Sequence, residues 1–157
     1  MNTTDELFAL LQQAKRLAKS YREFTGCPLG IAGEIAKSEA VRLLGLELAP
    51  VRTAGYDAIR RLPDGTRQRL QVKGRVMRSH KLLGRMGSID INNKDWDAVL
   101  LVLLDQNYET MRIFEAPRTL VEAVIQRPGS RVRNERGALS ISQFCSAMLG
   151  HQVWPHV

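Results

Sequence analysis

The sequence is poor in the residues and motifs on which several common protein classes depend. Its two cysteines, Cys27 and Cys145, show no metal-ligand spacing, so reduced thiols are the simplest interpretation. The chain has no glycine-rich phosphate loop, no Cys/His zinc spacing and no Gly-x-Ser-x-Gly nucleophile elbow. These absences disfavour P-loop NTPases, zinc-binding modules and α/β-hydrolases.

Long apolar runs and internal repeats are also missing. No apolar stretch reaches the length that a membrane-spanning helix requires. Asp5 and Glu6 stand where a secretory signal peptide would carry basic residues. We therefore expect a cytoplasmic protein with no membrane partner.

The sequence does contain an ordinary core composition and an excess of positive charge. The 157 residues are 44% hydrophobic and 25% charged, which is typical of a soluble globular domain. The net charge of +7 and the pI of about 9.9 fit a polyanionic partner such as DNA. Within a single domain, 1–157, we distinguish an N-terminal helix (1–24), a core (30–115) and C-terminal helices with a tail (117–157).

Hydrophobic periodicity predicts alternating helices and strands. The run from Ala98 to Leu104 is apolar throughout, which predicts a central strand buried on both faces. The other predicted elements are a helix from residue 30 or 32 to 44, an edge strand over 46–51, a hairpin over 55–75, a loop-like stretch over 75–93, a return strand over 109–115, a helix after Pro117, a helix capped by Ser140 or Ser142, and a tail that docks through Trp154.

A first helix is predicted over residues 4–21. Its apolar positions recur at helical spacing and form one stripe. This stripe serves for packing on the core or for dimerisation. Its members are Leu7, Leu10, Leu11, Ala14, Leu17, Ala18 and Tyr21.

The hairpin has turn chemistry that sets its register. Pro63-Asp64-Gly65 supplies a fixed φ, a residue suited to the second turn position and a glycine that accepts the left-handed conformation. A three-residue loop of this kind pairs Leu62 with Thr66. Counting back along both arms then sets Asp57 opposite Gln71.

This register brings three polar groups to one face of the hairpin. Strand side chains repeat every two residues, so Gln71 and Lys73 share the face of Asp57. A two-residue loop would instead set Asp57 opposite Val72, on the other face. The prediction is therefore a carboxylate, an amide oxygen and an ammonium group side by side, and a merely solvated strand face is the alternative.

Asp57, thirteen intervening residues and then Gln71-Val72-Lys73 resemble the D…(D/E/Q)xK core of the PD-(D/E)XK nuclease superfamily. The glutamine variant is most like the Mrr-type restriction endonucleases. The segment Gly30-Ile31-Ala32-Gly33-Glu34 matches the GxxxE motif of that family's preceding helix, and Gly45 stands at the expected helix end. The resemblance covers roughly residues 30 to 105.

The resemblance implies a restriction endonuclease-like α/β core, with a central mixed β-sheet of about five strands flanked by helices. It also implies Mg²⁺, or Mn²⁺ in its place, and hydrolysis of DNA phosphodiester bonds. Asp57, Gln71 and a helix glutamate would hold the metal, and Lys73 would position or deprotonate the attacking water. Gln71 departs from the commoner acid. An inactive module that binds nucleic acid or protein is therefore one alternative, and an unrelated α/β domain is another.

Two glutamates of the second helix compete for the metal. Motif spacing favours Glu34, which points away from the apolar face on a helical wheel. Glu39 falls beside that face, where a carboxylate is costly unless it is paired or bound to a metal. Both glutamates stay candidates.

Basic residues cluster in two loop-like stretches, and cations on such segments can follow a phosphate backbone. A chain of this size has little room for sequence readout, so dimerisation or a targeting protein is a further expectation. The predicted DNA contacts are Arg75, Arg78, Lys81 and Arg85 in the first stretch and Arg131 and Arg133 in the second.

Overall fold

A mixed β-sheet with helices on both faces dominates the structure. The computed structural model describes residues 3–128 and 138–156. The helices are α1 (Thr3–Thr25), α2 (Ala32–Leu44), α3 (Arg118–Ile125) and α4 (Ile141–Phe144). The strands are β1 (Glu47–Leu48), β2 (Ala58–Arg61), β3 (Arg67–Val76), β4 (Arg85–Ser88), β5 (Ala98–Leu104), β6 (Thr110–Pro117), β7 (Ala138–Ser140) and β8 (His151–Trp154). The predicted α/β class with a central mixed sheet is confirmed.

The main sheet has six strands in the order β1-β2-β3-β5-β6-β8, and β4 pairs with β7 separately. β3 and β5 run parallel, and the other neighbouring pairs of the main sheet are antiparallel. The predicted sheet of about five strands lacked β8, which was expected as a docking tail. Its four residues are too few to show a clear alternation, and pairing with β6 makes them a strand.

The stretch over 75–93, predicted as a loop, contains regular structure. β3 continues to Val76, and β4 pairs with β7 through Arg85 and Ser140. Gly84 and Gly87 have φ values of 99° and 93°, so the glycines that suggested a loop flank and interrupt a short strand. The partner strand lies far along the chain, so local pattern could not reveal the pairing.

Apolar layers fill both faces of the sheet. On one face Leu100 and Val102 of β5 pack with α1 and α2. On the other face Leu101 and Leu103 pack in a cluster that includes residues of α3 and α4. All seven residues of β5 are buried, which confirms the predicted central strand.

α1 buries only part of its predicted apolar stripe. Ala18 is fully buried and Leu11 packs on the core, but Leu10 and Leu17 are 62% and 64% exposed. The inner members of the predicted stripe therefore pack on the core, whereas its outer members remain exposed because the core covers one side of the helix. Neither α1 nor any other helix of the described residues is long and apolar enough to cross a membrane.

Candidate active site

The hairpin between β2 and β3 has the predicted register. Arg61 pairs with Arg67, and the Leu62 amide donates a hydrogen bond of 2.9 Å to the Thr66 carbonyl across the turn. Gly65 takes φ of 84°, the left-handed conformation that the turn requires. The ladder ends at the pair Ala58–Leu70, one residue before Asp57. The same register sets Asp57 opposite Gln71.

Asp57 lies where β2 separates from β3. Because β2 begins only at Ala58, the Val72 amide has no strand partner, and it donates a hydrogen bond of 2.8 Å to Asp57 Oδ2. The other carboxylate oxygen, Oδ1, lies 3.4 Å from Lys37 Nζ of α2. The side chain is 23% exposed, so solvent reaches it.

Gln71 contributes an oxygen without a partner. Its Oε1 is buried and accepts no hydrogen bond from the described residues. Its Nε2 donates a long bond of 3.4 Å to the Gly55 carbonyl. Buried polar atoms in native proteins nearly always have a partner. An unpaired amide oxygen beside Asp57 therefore fits a site that receives a hydrogen-bond donor or a cation.

Lys73 is half-buried and follows Gln71 on the same strand face. Its ammonium group forms no hydrogen bond and no salt bridge with another described residue. Burial lowers the pKa of its ammonium group below the ordinary value, and nearby Arg75 and Lys37 lower this pKa further, whereas Asp57 opposes the shift. The structure thus brings together a carboxylate, a free amide oxygen and a lysine that loses its proton more easily than usual.

Glu34 joins this group through a residue that the sequence analysis did not select. Lys37 Nζ lies 3.1 Å from Glu34 Oε1 and also contacts Asp57. Burial lowers the pKa of Lys37, but the two carboxylates together outweigh burial and raise it above the ordinary value. The three-residue spacing of Glu34 and Lys37 on one helix was the signal that could have identified the lysine.

Glu39 lies apart from Asp57. Its carboxylate is buried and accepts hydrogen bonds of 2.9 Å from Arg42 and 3.0 Å from Thr110, with Lys15 Nζ at 3.4 Å. Thr110 stands at the end of the sheet where Val76 ends β3. That end is five residues, or about 16 Å along the strand, from Gln71. The predicted site role of Glu39 is corrected to an internal ion cluster, which supplies the partners that its burial requires.

The predicted DNA-contacting residues differ in their surroundings. Arg78, Lys81 and Arg85 are exposed, and none of them forms a salt bridge with another described residue. Arg75 instead holds β3 to β4, donating hydrogen bonds of 2.8 Å to the Arg85 carbonyl and 2.6 Å to the Gly74 carbonyl. Arg131 and Arg133 lie outside the described residues.

A cleft of about 400 Å³ opens beside Asp57, lined by Glu34, Lys37, Tyr56 and the loop from residue 48 to 53. Within residues 3–128 and 138–156, no three His, Cys, Asp or Glu side chains form a group that could hold a metal. The oxygen donors at the site are two carboxylates and the unpaired Gln71 oxygen. Mg²⁺ keeps several waters and often takes one or two protein carboxylates, so this donor set fits it.

Comparison with known proteins adds no family to these observations. No protein-family model matches the chain, and no curated protein is significantly similar to it.

Proposed function

We propose that the protein is a Mg²⁺-dependent DNA endonuclease whose site is formed by Asp57, Gln71 and Lys73. The observation that carries the proposal is the convergence of these three groups at the open end of the hairpin. A helix that precedes the hairpin and a mixed sheet that carries the site agree with the restriction endonuclease-like core. The net charge of +7 suits a polyanionic substrate.

Each residue of the site has a distinct proposed role. Asp57 Oδ1 and the unpaired Gln71 Oε1 would hold the metal, and Glu34 would contribute from α2. When bound, Mg²⁺ orients water and offsets the charge that develops on the phosphate. Lys73 lies beside Asp57 with a lowered pKa, so it can hold the attacking water or accept its proton.

DNA would approach along the basic stretch that follows β3. The side chains of Arg78, Lys81 and Arg85 are exposed and unpaired within the described residues, so they are free to meet phosphate oxygens. Arg75 would support this surface by fixing β4 against β3. These basic side chains would provide affinity for DNA through their charge, whereas the residues of the hairpin would carry out catalysis.

Cleavage of supercoiled, linear and branched DNA with Mg²⁺ or Mn²⁺ tests the proposal. Asp57→Ala should abolish cutting, because it removes a metal ligand, while Asp95→Ala serves as a matched control at an exposed carboxylate nearby in sequence. Asp95 has a single ion pair, 3.6 Å long, to Arg69. Cutting that survives Asp57→Ala would move the site elsewhere. A folded protein that cuts none of these substrates would contradict the endonuclease.

One observation favours a second function, a nuclease-fold module that binds nucleic acid or a protein without hydrolysing it. Both oxygens of Asp57 already have partners, the Val72 amide and Lys37. Such a module would bind DNA equally well with Mg²⁺ or with a chelator. Mg²⁺-dependent heat in calorimetry, lost in Asp57→Ala, would count against it.

A further inference from the structure

α1 carries a second apolar stripe, beside the residues that pack on the core, and the described part of the chain covers this stripe only in part. Phe24 is 94% exposed, and Leu10 and Leu17 are 62% and 64% exposed. The residues of the stripe follow alternating steps of three and four, which keeps them on one line along a helix that pairs with another helix. This stripe, the α1 seam, consists of Leu7, Leu10, Ala14, Leu17, Tyr21 and Phe24.

The pattern distinguishes the seam from ordinary surface leucines. Single exposed apolar side chains are common and carry no meaning. A 3.5-residue repeat sustained from Leu7 to Phe24, with the adjoining side of the same helix already packed on the core, indicates a second packing surface. Lys15 and Ala18 belong to the inner side, where they are buried.

A depression beside the seam complements its most exposed residue. It has a volume of about 450 Å³ and lies between the first turns of α1 and the edge strand β1. Its walls are mainly apolar, and Leu48 of β1 is itself 43% exposed. This volume and these apolar walls can receive a phenylalanine side chain. The lining residues are Thr3, Thr4, Leu7, Phe8, Val41, Leu46, Glu47 and Leu48.

We propose that two copies of the chain associate through antiparallel α1 seams, with Phe24 of each copy in the depression of the other. An antiparallel register that sets Phe24 opposite Leu7 also sets Tyr21 opposite Leu10 and Leu17 opposite Ala14. Each contact then occurs twice around a two-fold axis, as an interface between identical copies requires. The depression lies at Leu7, so this register delivers Phe24 to it.

The position of the depression selects the antiparallel orientation, because only an antiparallel pair brings Phe24 at the end of one α1 to the first turns of the other. The helix dipoles of an antiparallel pair favour the same orientation. The side-chain charges do not decide it, since the last turn carries Glu23 as well as Arg22.

The size of the seam sets the strength of the association. From Leu7 to Phe24 the seam is about 26 Å long, and a helix face roughly 10 Å wide gives on the order of 260 Å² for each copy. Stable interfaces bury about 800 Å² on each partner. The depression adds to the area but does not close this gap. The dimer is therefore weak and forms only at high protein concentration.

Sedimentation analysis of the full chain over a concentration series tests the dimer. The wild type should pass from monomer to dimer, and Phe24→Glu should weaken the dimer at least tenfold. The fold should stay intact in this variant, because the Phe24 side chain is 94% exposed. Met148→Glu is the matched control, since Met148 is 79% exposed and lies outside α1. A monomer at every concentration, or a dimer that Phe24→Glu leaves unchanged, would overturn the proposal.

Cysteine cross-linking tests the orientation independently of the assembly's strength. In a background without the native cysteines, Cys27→Ser and Cys145→Ser, a mixture of Leu10→Cys and Tyr21→Cys chains should form mixed disulfides. A parallel pair would instead link Leu10→Cys chains to one another. That outcome contradicts the antiparallel seam, and so does the absence of any disulfide above the level of a Met148→Cys control.

Discussion

At the scale of single residues, Lys37 governs how much negative charge the candidate site presents. Its ammonium group lies between Glu34 and Asp57, at 3.1 Å and 3.4 Å from their oxygens. A cation that binds Asp57 Oδ1 must compete with this ammonium. At the proposed metal site, Lys37 would therefore lower the affinity for a cation without being a ligand.

Lys37→Met should strengthen Mg²⁺ binding. Removing one positive charge at this distance is worth on the order of 1 kcal/mol in a hydrated cleft, which is about a fivefold change in affinity. Calorimetric titration of the variant against the wild type measures the change. Lys94→Met, at a lysine that is 74% exposed and pairs with Glu122, should leave the affinity unaltered. Weaker binding in Lys37→Met would mean that the lysine supports the site instead.

Glu39 has a different role at the same scale, which a pair of variants separates from that of Glu34. Glu39→Gln leaves Lys15 buried with only the mostly exposed Glu109 as counter-ion, so it should lower the free energy of unfolding by about 3 kcal/mol. Glu34→Gln, at a side chain that is 73% exposed, should change it by less than about 0.5 kcal/mol. Denaturant unfolding measures both, and equal stability losses would contradict the distinction.

The lowered pKa of Glu39 predicts how the stability of the fold changes at low pH. Burial raises the pKa of Glu39, but the hydrogen bond from Arg42, the charge of Lys15 and the Thr110 hydroxyl outweigh burial and lower it below 4.5. A carboxyl whose pKa is lower in the fold than in the unfolded chain contributes its full stability above the ordinary pKa and loses it as the pH falls. The wild type should thus lose stability below about pH 4.5, more steeply than Glu39→Gln.

At the scale of elements, the contact of α2 with β3 decides where Glu34 and Lys37 lie. The two elements approach closely at Gly74, where an added Cβ would collide with Ala36 and lie 2.7 Å from the Ala32 carbonyl. This contact leaves no room for a side chain. It presents the first turns of α2 to the open end of the hairpin.

Gly74→Ala should therefore push α2 away from the sheet. The overpacking should cost about 1–3 kcal/mol in the free energy of unfolding and weaken Mg²⁺ binding, because the helix carries Glu34. Gly33→Ala is the matched control, since an added Cβ there meets nothing within 4 Å. It should leave stability unchanged or raise it by up to about 1 kcal/mol. Thermal unfolding measures the stability of both variants, and calorimetry measures their Mg²⁺ affinity. If Gly74→Ala changed neither quantity, α2 and β3 would be able to adjust to the added methyl group, which contradicts the prediction.

At the scale of the whole molecule, the basic residues fall into two groups, those with acidic partners inside the fold and those exposed without a partner among the described residues. Several arginines are held inside the fold, such as Arg60, which forms a bidentate pair with Glu115. Arg78 and Lys81 have no such partner among the described residues. The proposed DNA surface is therefore defined by free cations more than by the net charge.

Arg78→Ala/Lys81→Ala should weaken DNA binding and reduce the slope of log K against log salt by about 2, one unit for each lost phosphate contact. Fluorescence anisotropy at several salt concentrations measures this slope. Arg16→Ala/Arg67→Ala removes the same charge from two exposed sites outside the basic stretch and should alter the slope less. An equal reduction in both double variants would mean that binding depends on net charge alone.

The local sequence was sufficient to predict those features of the structure that depend on interactions between neighbouring residues. The register of the hairpin follows from Pro63-Asp64-Gly65, because a turn closes through neighbouring residues. The end of α2 follows from Gly45, which takes φ of 63°. The burial of β5 follows from an apolar run that any solvated face would interrupt. Asp57, Gln71 and Lys73 were placed together by this reasoning alone.

Tertiary structure decided what depends on distant partners. Motif spacing favoured Glu34 and burial favoured Glu39. The packing of α2 on Gly74 places Glu34 near Asp57, and Lys15 of α1 pairs with Glu39 away from it. β4 and β8 exist because strands far along the chain pair with them. The exposure of Leu10, Leu17 and Phe24 likewise became clear only from the structure, because the core covers the adjoining side of α1. Pairing and coverage are relations between distant segments, so no local pattern contains them.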